Sequence, residues 1–146
     1  QIYGSDNIAQ IMQMGNQEHT FFRQQGNHNV FRLLQENGQN QVGTSAENPF
    51  IQTGNSNVFA GVFEGTDGLL LDADAYARQY NGAVLDPSSF QSGHHNDIGL
   101  YQEGESTGII MQSGDYNTAL LLQLGNGHQA TITQIGNGNM ARVTQQ

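Results

Sequence analysis

The chain contains no cysteine, no tryptophan and no lysine, and its only prolines are Pro49 and Pro87. The lack of cysteine rules out a disulfide framework and any thiolate metal site. The lack of lysine leaves Arg23, Arg32, Arg78 and Arg142 as the whole basic complement, against 13 carboxylates and a net charge of −9. Such a chain has no basic stripe to displace counterions from nucleic acid, and no basic face for an anionic membrane. Apolar runs such as 119–122 are short, against the roughly 20 residues that insertion into a membrane as a helix requires. Motifs for a nucleophile, a phosphate loop or a HExxH zinc site are missing too, so neither enzyme activity nor a cofactor is expected. No signal peptide is visible and the first residue is Gln1 rather than Met. A processed, exported protein is the natural expectation.

What the chain has in excess is carboxamide and glycine: 19 Gln, 15 Asn and 19 Gly in 146 residues. That composition suits either a disordered polar segment or a structure held by stacked amides. The register of the apolar residues favours the second. From Asn117 onward, the runs 117–123, 128–134 and 139–145 each alternate in polarity and close on Gln, and Leu-Gly-Asn-Gly or Ile-Gly-Asn-Gly stands between them. Alternation at period two marks a strand, and Gly with Asn supplies the positive-φ positions of a tight turn. A unit of one strand and one turn cannot bury its inner face alone, so it stacks on its copies.

The same phase runs back through Gln35, Gln24 and Gln13 in steps of eleven. Two intervals of seventeen, ending at Gln52 and Gln91, hold the two prolines. The expectation is one all-β domain over 1–146, a β-solenoid with two short strands per coil, about six coils, and loop excursions near 36–48 and 75–90. Positions 1, 3, 5 and 7 of each run share one face, and they read polar, apolar, apolar, polar. The expected structural ladder is Asn7, Gln13, Gln24, Asn29, Gln35, Gln52, Asn57, Asn96, Gln102, Gln112, Asn117, Gln123, Gln134, Asn139 and Gln145. Each amide would bond its copies about 4.8 Å above and below. The expected turn glycines are Gly15, Gly26, Gly54, Gly93, Gly104, Gly114, Gly125 and Gly136. The opposite, solvent-facing side carries Gln10, Arg23, Arg32, Asp97, Gln129, Thr131, Thr133 and Arg142, with apolar exceptions at Val58, Ala60, Val62, Leu120 and Leu122.

Three places fit less well. The run 68–74 would turn Asp72 and Asp74 inward, which is costly for unpaired carboxylates, so a register shift placing Leu69 and Leu71 inward, or an early end, is expected there. Residues 73–79 read as a short helix or loop. The run 107–112 is one residue short.

The unit Asn-x5-Gln-x-Gly-x-x-Asn-x5-Gln, with Gln13, Gly15, Gln24, Gly26, Asn29, Gln35, Gln52, Gly54, Asn57, Gln91, Gly93, Asn96, Gln102, Gln112, Gly114, Asn117, Gln123, Gly125, Gln134, Gly136, Asn139 and Gln145 in place, resembles the curlin repeat of bacterial curli fibre subunits. The resemblance implies a secreted structural subunit of a functional amyloid fibre, serving biofilm matrix and surface adhesion. It implies the chain itself as partner in a head-to-tail homopolymer, with other curlin-like subunits and matrix polysaccharide as further partners. The implied location is extracellular, after removal of a signal peptide. A second reading stays open: a monomeric secreted solenoid, an adhesin or carbohydrate-binding module, using Tyr101, Tyr116 or the excursions.

His94-His95 in a turn could ligate a metal, and Asp67, Asp72 and Asp74 could make a calcium loop. His94-His95 has no carboxylate or thiolate at ligand spacing, and the aspartates lack a bidentate Glu. A polar turn and a solvated bend account for them, so no metal site is expected.

Overall fold

A computed structural model describes residues 1–65 and 68–146. Among these residues every regular element is a β-strand, arranged in two large parallel sheets. The chain passes from one sheet to the other at almost every turn. In the first sheet Ile2–Tyr3 pairs with Phe22–Gln25, which pairs with Phe50–Thr53, then Phe90–Ser92, Thr107–Ser113 and Gln129–Ile135. In the second, Ile8–Met14 pairs with Val30–Glu36, and Asp97–Glu103 with Thr118–Gln123 and then Met140–Gln145. Gln pairs with Gln and turn with turn, except at the first strand, where Ile2 lies beside Gln24.

Between Val30–Glu36 and Asp97–Glu103 lies a strand in two pieces. Val58 and Phe59 pair with Val30 and Phe31 on one side, and with Asp97 and Ile98 on the other. Ala77 and Gln79 then take the places beside Leu33 and Gln35, with Gln79 also beside Gln102. Between these pieces residues 61–65 leave the sheet and 68–76 return to it, as a hairpin of antiparallel arms in which Val62 opposes Leu71 and Phe63 opposes Leu70.

The two sheets close on a dry seam of Phe31, Leu33, Val42, Phe50, Phe59, Ala77, Leu85, Ile98, Leu100, Ile110, Ala119, Leu121 and Ile132. Its densest part is aromatic: the rings of Phe22 and Phe31 lie 4.5 Å apart, and those of Phe31 and Phe59 lie 4.7 Å apart. Each fully buried Phe or Leu contributes roughly 1.5–3 kcal/mol relative to exposure.

Among the described residues, departures from regular pairing lie at 43–49, at 61–65 with 68–76, and at 86–89, not at 36–48 and 75–90. The physical reason is where a strand can be interrupted. Val42 and Phe50 are both buried in the seam, and the chain leaves between them at a position facing outward. Interruption there leaves the turns on either side intact. Consequently 36–42 belongs to a turn and a strand, and Ala77–Tyr80 is a strand rather than a helix or loop. Leu69 is buried and Leu71 half-buried, but against the outer face of the second sheet beside Leu120 and Leu122, not in the seam. The run at 107–112 is not short. Buried Ser106 begins it, pairing partner spacing places Ser106 beside Ala83, and the missing residue belongs to the preceding turn.

The glycines of the turns leading from the first sheet to the second, Gly4, Gly26, Gly54, Gly93, Gly114 and Gly136, have φ between +101° and +119°. A Cβ on Gly93 would overlap the carbonyl oxygen of Gly114, so two independent constraints demand glycine. Gly15 departs from the expectation. Its φ is not positive, and what excludes a side chain there is the backbone of Asn37 and Gly38. Gly127, at φ +77°, has nothing within 4 Å of such a Cβ. Gly127→Ala should therefore cost about 1 kcal/mol, the left-handed penalty alone, while Gly93→Ala should cost several times more. Denaturant unfolding of the two variants side by side checks this, and equal losses would contradict it.

Candidate functional site

The site is linear rather than a pocket. Strand pairing in register brings like polar groups from successive levels into columns, three of amides and a fourth of mixed acceptors, running along the molecule. In the second sheet Gln13 donates through Nε2 to Gln35 Oε1 (2.8 Å), Gln35 to Gln79 (2.9 Å), Gln79 to Gln102 (2.9 Å), Gln102 to Gln123 (2.9 Å) and Gln123 to Gln145 (2.8 Å). In the first sheet Gln24 donates to Gln52 (2.9 Å), Gln52 to Gln91 (2.6 Å), Gln91 to Gln112 (3.0 Å) and Gln112 to Gln134 (2.8 Å). The second hydrogen of many of these amides crosses the seam to a backbone carbonyl of the facing sheet. Gln52 reaches Val30, Gln102 reaches Val84 and Gln134 reaches Thr118.

The third column is Asn, at the start of each strand of the second sheet. Asn29, Asn57, Asn96, Asn117 and Asn139 each donate through Nδ2 to Oδ1 of the preceding Asn, at 2.9–3.2 Å. Each Oδ1 also accepts the backbone N–H of the following Asn, as between Asn96 N and Asn57 (3.0 Å). The other Nδ2 hydrogen goes to a turn glycine one level on: Asn7 to Gly26, Asn57 to Gly93, Asn117 to Gly136. The glycine carbonyls that forbid a Cβ are thus the acceptors that hold the Asn column.

A fourth column escapes a reading of the sequence. In the same turns the residue after each glycine accepts a backbone N–H from the level before: Ser5 N to Asn27 Oδ1 (2.8 Å), Asn27 N to Asn55 Oδ1 (2.8 Å), Asn55 N to His94 Nδ1 (3.2 Å), His94 N to Asp115 Oδ1 (2.9 Å) and Asp115 N to Asn137 Oδ1 (2.8 Å). Asn, Asp and neutral His share one property here, an acceptor at short reach. That column engages His94. His95 stacks on Tyr116 at 4.9 Å. Asp72 accepts from the backbone of Asp74, and Asp74 pairs with Arg32 at 3.0 Å; Asp67 lies outside the described residues.

At the start of the first-sheet strands the column is mixed. Asn40 Oδ1 accepts from Gly82 and Ala83, Ser106 donates to the Gly125 carbonyl, and a His128 ring nitrogen lies 2.9 Å from the Leu124 carbonyl. Gln79 completes the second-sheet column although the sequence spacing hides it. The Gln column of the first sheet ends at Gln24, whose Oε1 is buried without a partner because Ile2 occupies the adjoining place. Of the tyrosines considered for a ligand, Tyr101 is half-buried and Tyr116 is 64% exposed.

The family model of the curlin associated repeat matches residues 105–136 and 121–146. The C-terminal stretch 105–146 is thus built of curlin repeats. The family is a curli-associated, structural one, and it is not enzymatic. No curated protein and no solved structure matches the chain. The matched stretch of curlin repeats lies beyond the last excursion, where Gln112, Gln123, Gln134 and Gln145 keep one spacing.

Asp97 departs from this neutral chemistry. It lies between Val58 and Thr118 in the second sheet, and burial raises its carboxyl from 3.8 to about 6, with His95 pulling the other way. A raised carboxyl favours its protonated form in the folded state. Asp97 therefore detracts from stability above about pH 6 and ceases to do so as the pH falls toward 3.8. Asp97→Asn should raise the unfolding midpoint at pH 7–8, and the gain should vanish near pH 4. A pH-independent gain would contradict this origin.

The columns also separate two kinds of Gln. Gln123→Leu should remove a buried link between Gln102 and Gln145 at about 1–3 kcal/mol per unsatisfied group. Gln129→Leu, on the exposed outer face, should change stability by less than about 0.5 kcal/mol. Comparable losses at both would contradict the distinction.

Proposed function

We propose that this chain is a structural subunit of a secreted, extracellular, curli-like amyloid fibre, built as a single six-coil β-solenoid over 1–146 that grows head-to-tail. The observation that carries the proposal is the condition of the two end strands. In the inner strands of the second sheet Leu33 and Leu100 are fully buried, whereas Ile11, at the same place in the first strand, is 37% exposed. At the other end Val143 and Gln145 are only partly covered. Both end strands leave the seam partly uncovered, and a sheet edge in that condition is a template for another chain.

The columns make the ends complementary. Every Gln donates toward the C-terminal end, so Gln145 offers a donor where Gln13 of a following copy offers an acceptor. Every Asn donates toward the N-terminal end, so Asn139 offers an acceptor where Asn7 offers donors. A joint that places 139–145 against 7–24 continues both columns, and because it does not close it propagates. Other curlin-repeat subunits would meet the same ends. One place does not continue: Ile2 would lie beside Gln134, leaving the first-sheet Gln column broken at the joint.

The backbone supplies a selective test. The carbonyls of Asn139 and Gln145 accept from Thr118 and Leu124 at 2.8 Å. By strand alternation the main-chain groups of Thr144 point the opposite way, toward the next copy. Thr144→Pro should leave the fold of each copy unchanged by circular dichroism while slowing elongation at least tenfold in a seeded assay with filaments imaged by electron microscopy. Unimpaired elongation would overturn the head-to-tail joint, and concentrated parent protein that stays monomeric would overturn the fibre.

A further inference from the structure

Part of the outer face of the second sheet is apolar where the outer face of a strand normally meets water, with Arg32, Arg78 and Arg142 at its border. Ala60, Gly99 and Leu120 stand side by side across three neighbouring strands, followed along the strand by Tyr101 and Leu122. Leu120 is nevertheless 2% exposed and Leu122 6%. What covers them is the 61–76 hairpin, through Val62, Leu69 and Leu71. Corresponding positions on the outer face of the first sheet, such as Gln129, Thr131 and Thr133, are polar and exposed.

Three features show that the hairpin is fitted to that face. Gly99 has no room for a side chain, because a Cβ would overlap Val62 and crowd Leu120 and Leu71. Arg32, on the neighbouring strand, holds the returning arm through the Ala73 carbonyl and the Asp74 carboxylate. The hairpin also leaves the ladder without a scar. Joining Ala60 to Ala77 would give Asn57-Val58-Phe59-Ala60-Ala77-Arg78-Gln79, a seven-residue run in register with Asn29 to Gln35 and with Asn96 to Gln102. The ladder does not need the hairpin; the face does.

We infer that the 61–76 hairpin is a built-in cover over a lateral association face, and that the partner it displaces is the same face of a second copy of this chain. Two flat apolar sheet faces pack against each other at about 10 Å, as paired sheets do in stacked fibrils. Head-to-tail growth would repeat the Leu120–Leu122 patch once per subunit, with Arg142, Gln10 and Arg32 between repeats, so that small contacts add along the fibre. The cover therefore lets copies add at the ends while keeping fibres apart at the sides. This rests on the fibre reading for its consequence, but the covered face is a property of each copy.

The test is deletion of 61–76 with Ala60 joined to Ala77, read by electron microscopy and sedimentation. Filament number and length report end-to-end growth; filament width reports the cover. The parent should give single filaments and the deletion variant ribbons of at least about twice the width. Adding Leu120→Thr and Leu122→Thr to the deletion should return the width to the parental value. Deletion filaments of parental width, or ribbons that survive the threonines, would overturn the inference while leaving the fibre reading intact. Should the parent form no filaments, the deletion must still convert monomers to dimers in sedimentation, and monomers would overturn it. Should the deletion variant fail to fold, full-length Gly99→Val carries the test. It should speed proteolytic cleavage within 61–76 and widen filaments, and faster cleavage with unchanged width would count against the cover.

Discussion

A carboxamide buried between two identical carboxamides is the interaction on which everything else in this molecule depends. Alone in an apolar interior, a Gln side chain would cost several kcal/mol for its unmet donors and acceptor. Between copies of itself at strand spacing, one hydrogen meets the oxygen of its neighbour and the other finds a backbone carbonyl. The arrangement works only if the copies repeat in strict register. A column of amides thus fixes pairing far more firmly than the Leu and Phe of the seam, which would tolerate a sliding neighbour.

That demand explains where the chain is free and where it is not. The turns hold two of the four columns and a glycine whose carbonyl anchors Asn, so they cannot be lengthened without loss. The middle of a strand, on its outward side, carries none of these. All three departures occur there, between Val42 and Phe50, between Ala60 and Ala77, and after Leu85. Ser89 shows how small the repair can be: its hydroxyl accepts the Ile110 backbone N–H (3.1 Å).

The sequence was most legible where spacing was conserved between a Gln and the next. Gln112, Gln123, Gln134 and Gln145 follow one another at eleven, and the amide phase can be read directly. Gln79 was illegible by spacing because the hairpin intervenes between it and Asn57. A signal was nonetheless present, since Gln79-Tyr80-Asn81-Gly82 repeats the turn spelling of Gln35-Glu36-Asn37-Gly38. The turn acceptors at Asn27, Asn55, His94, Asp115 and Asn137 were hidden for another reason. They share a capacity to accept rather than an identity, and a search for repeated letters passes over them. Leu120 and Leu122 stood out as apolar on a polar face, but only the fold reveals that Leu69 and Leu71 come to meet them.

The opposed directions of the Gln and Asn columns have an electrostatic consequence. Amides bonded head to tail add their dipoles, as peptide units do along a helix, so a column lengthened through many copies would accumulate charge separation between its ends. Here the Asn column points against the two Gln columns and offsets part of their sum, while the backbone groups of parallel strands largely cancel. The longer the stack, the more that offset matters. A filament of such copies would carry a uniform flank of −9 per subunit but only a modest polarity from tip to tip.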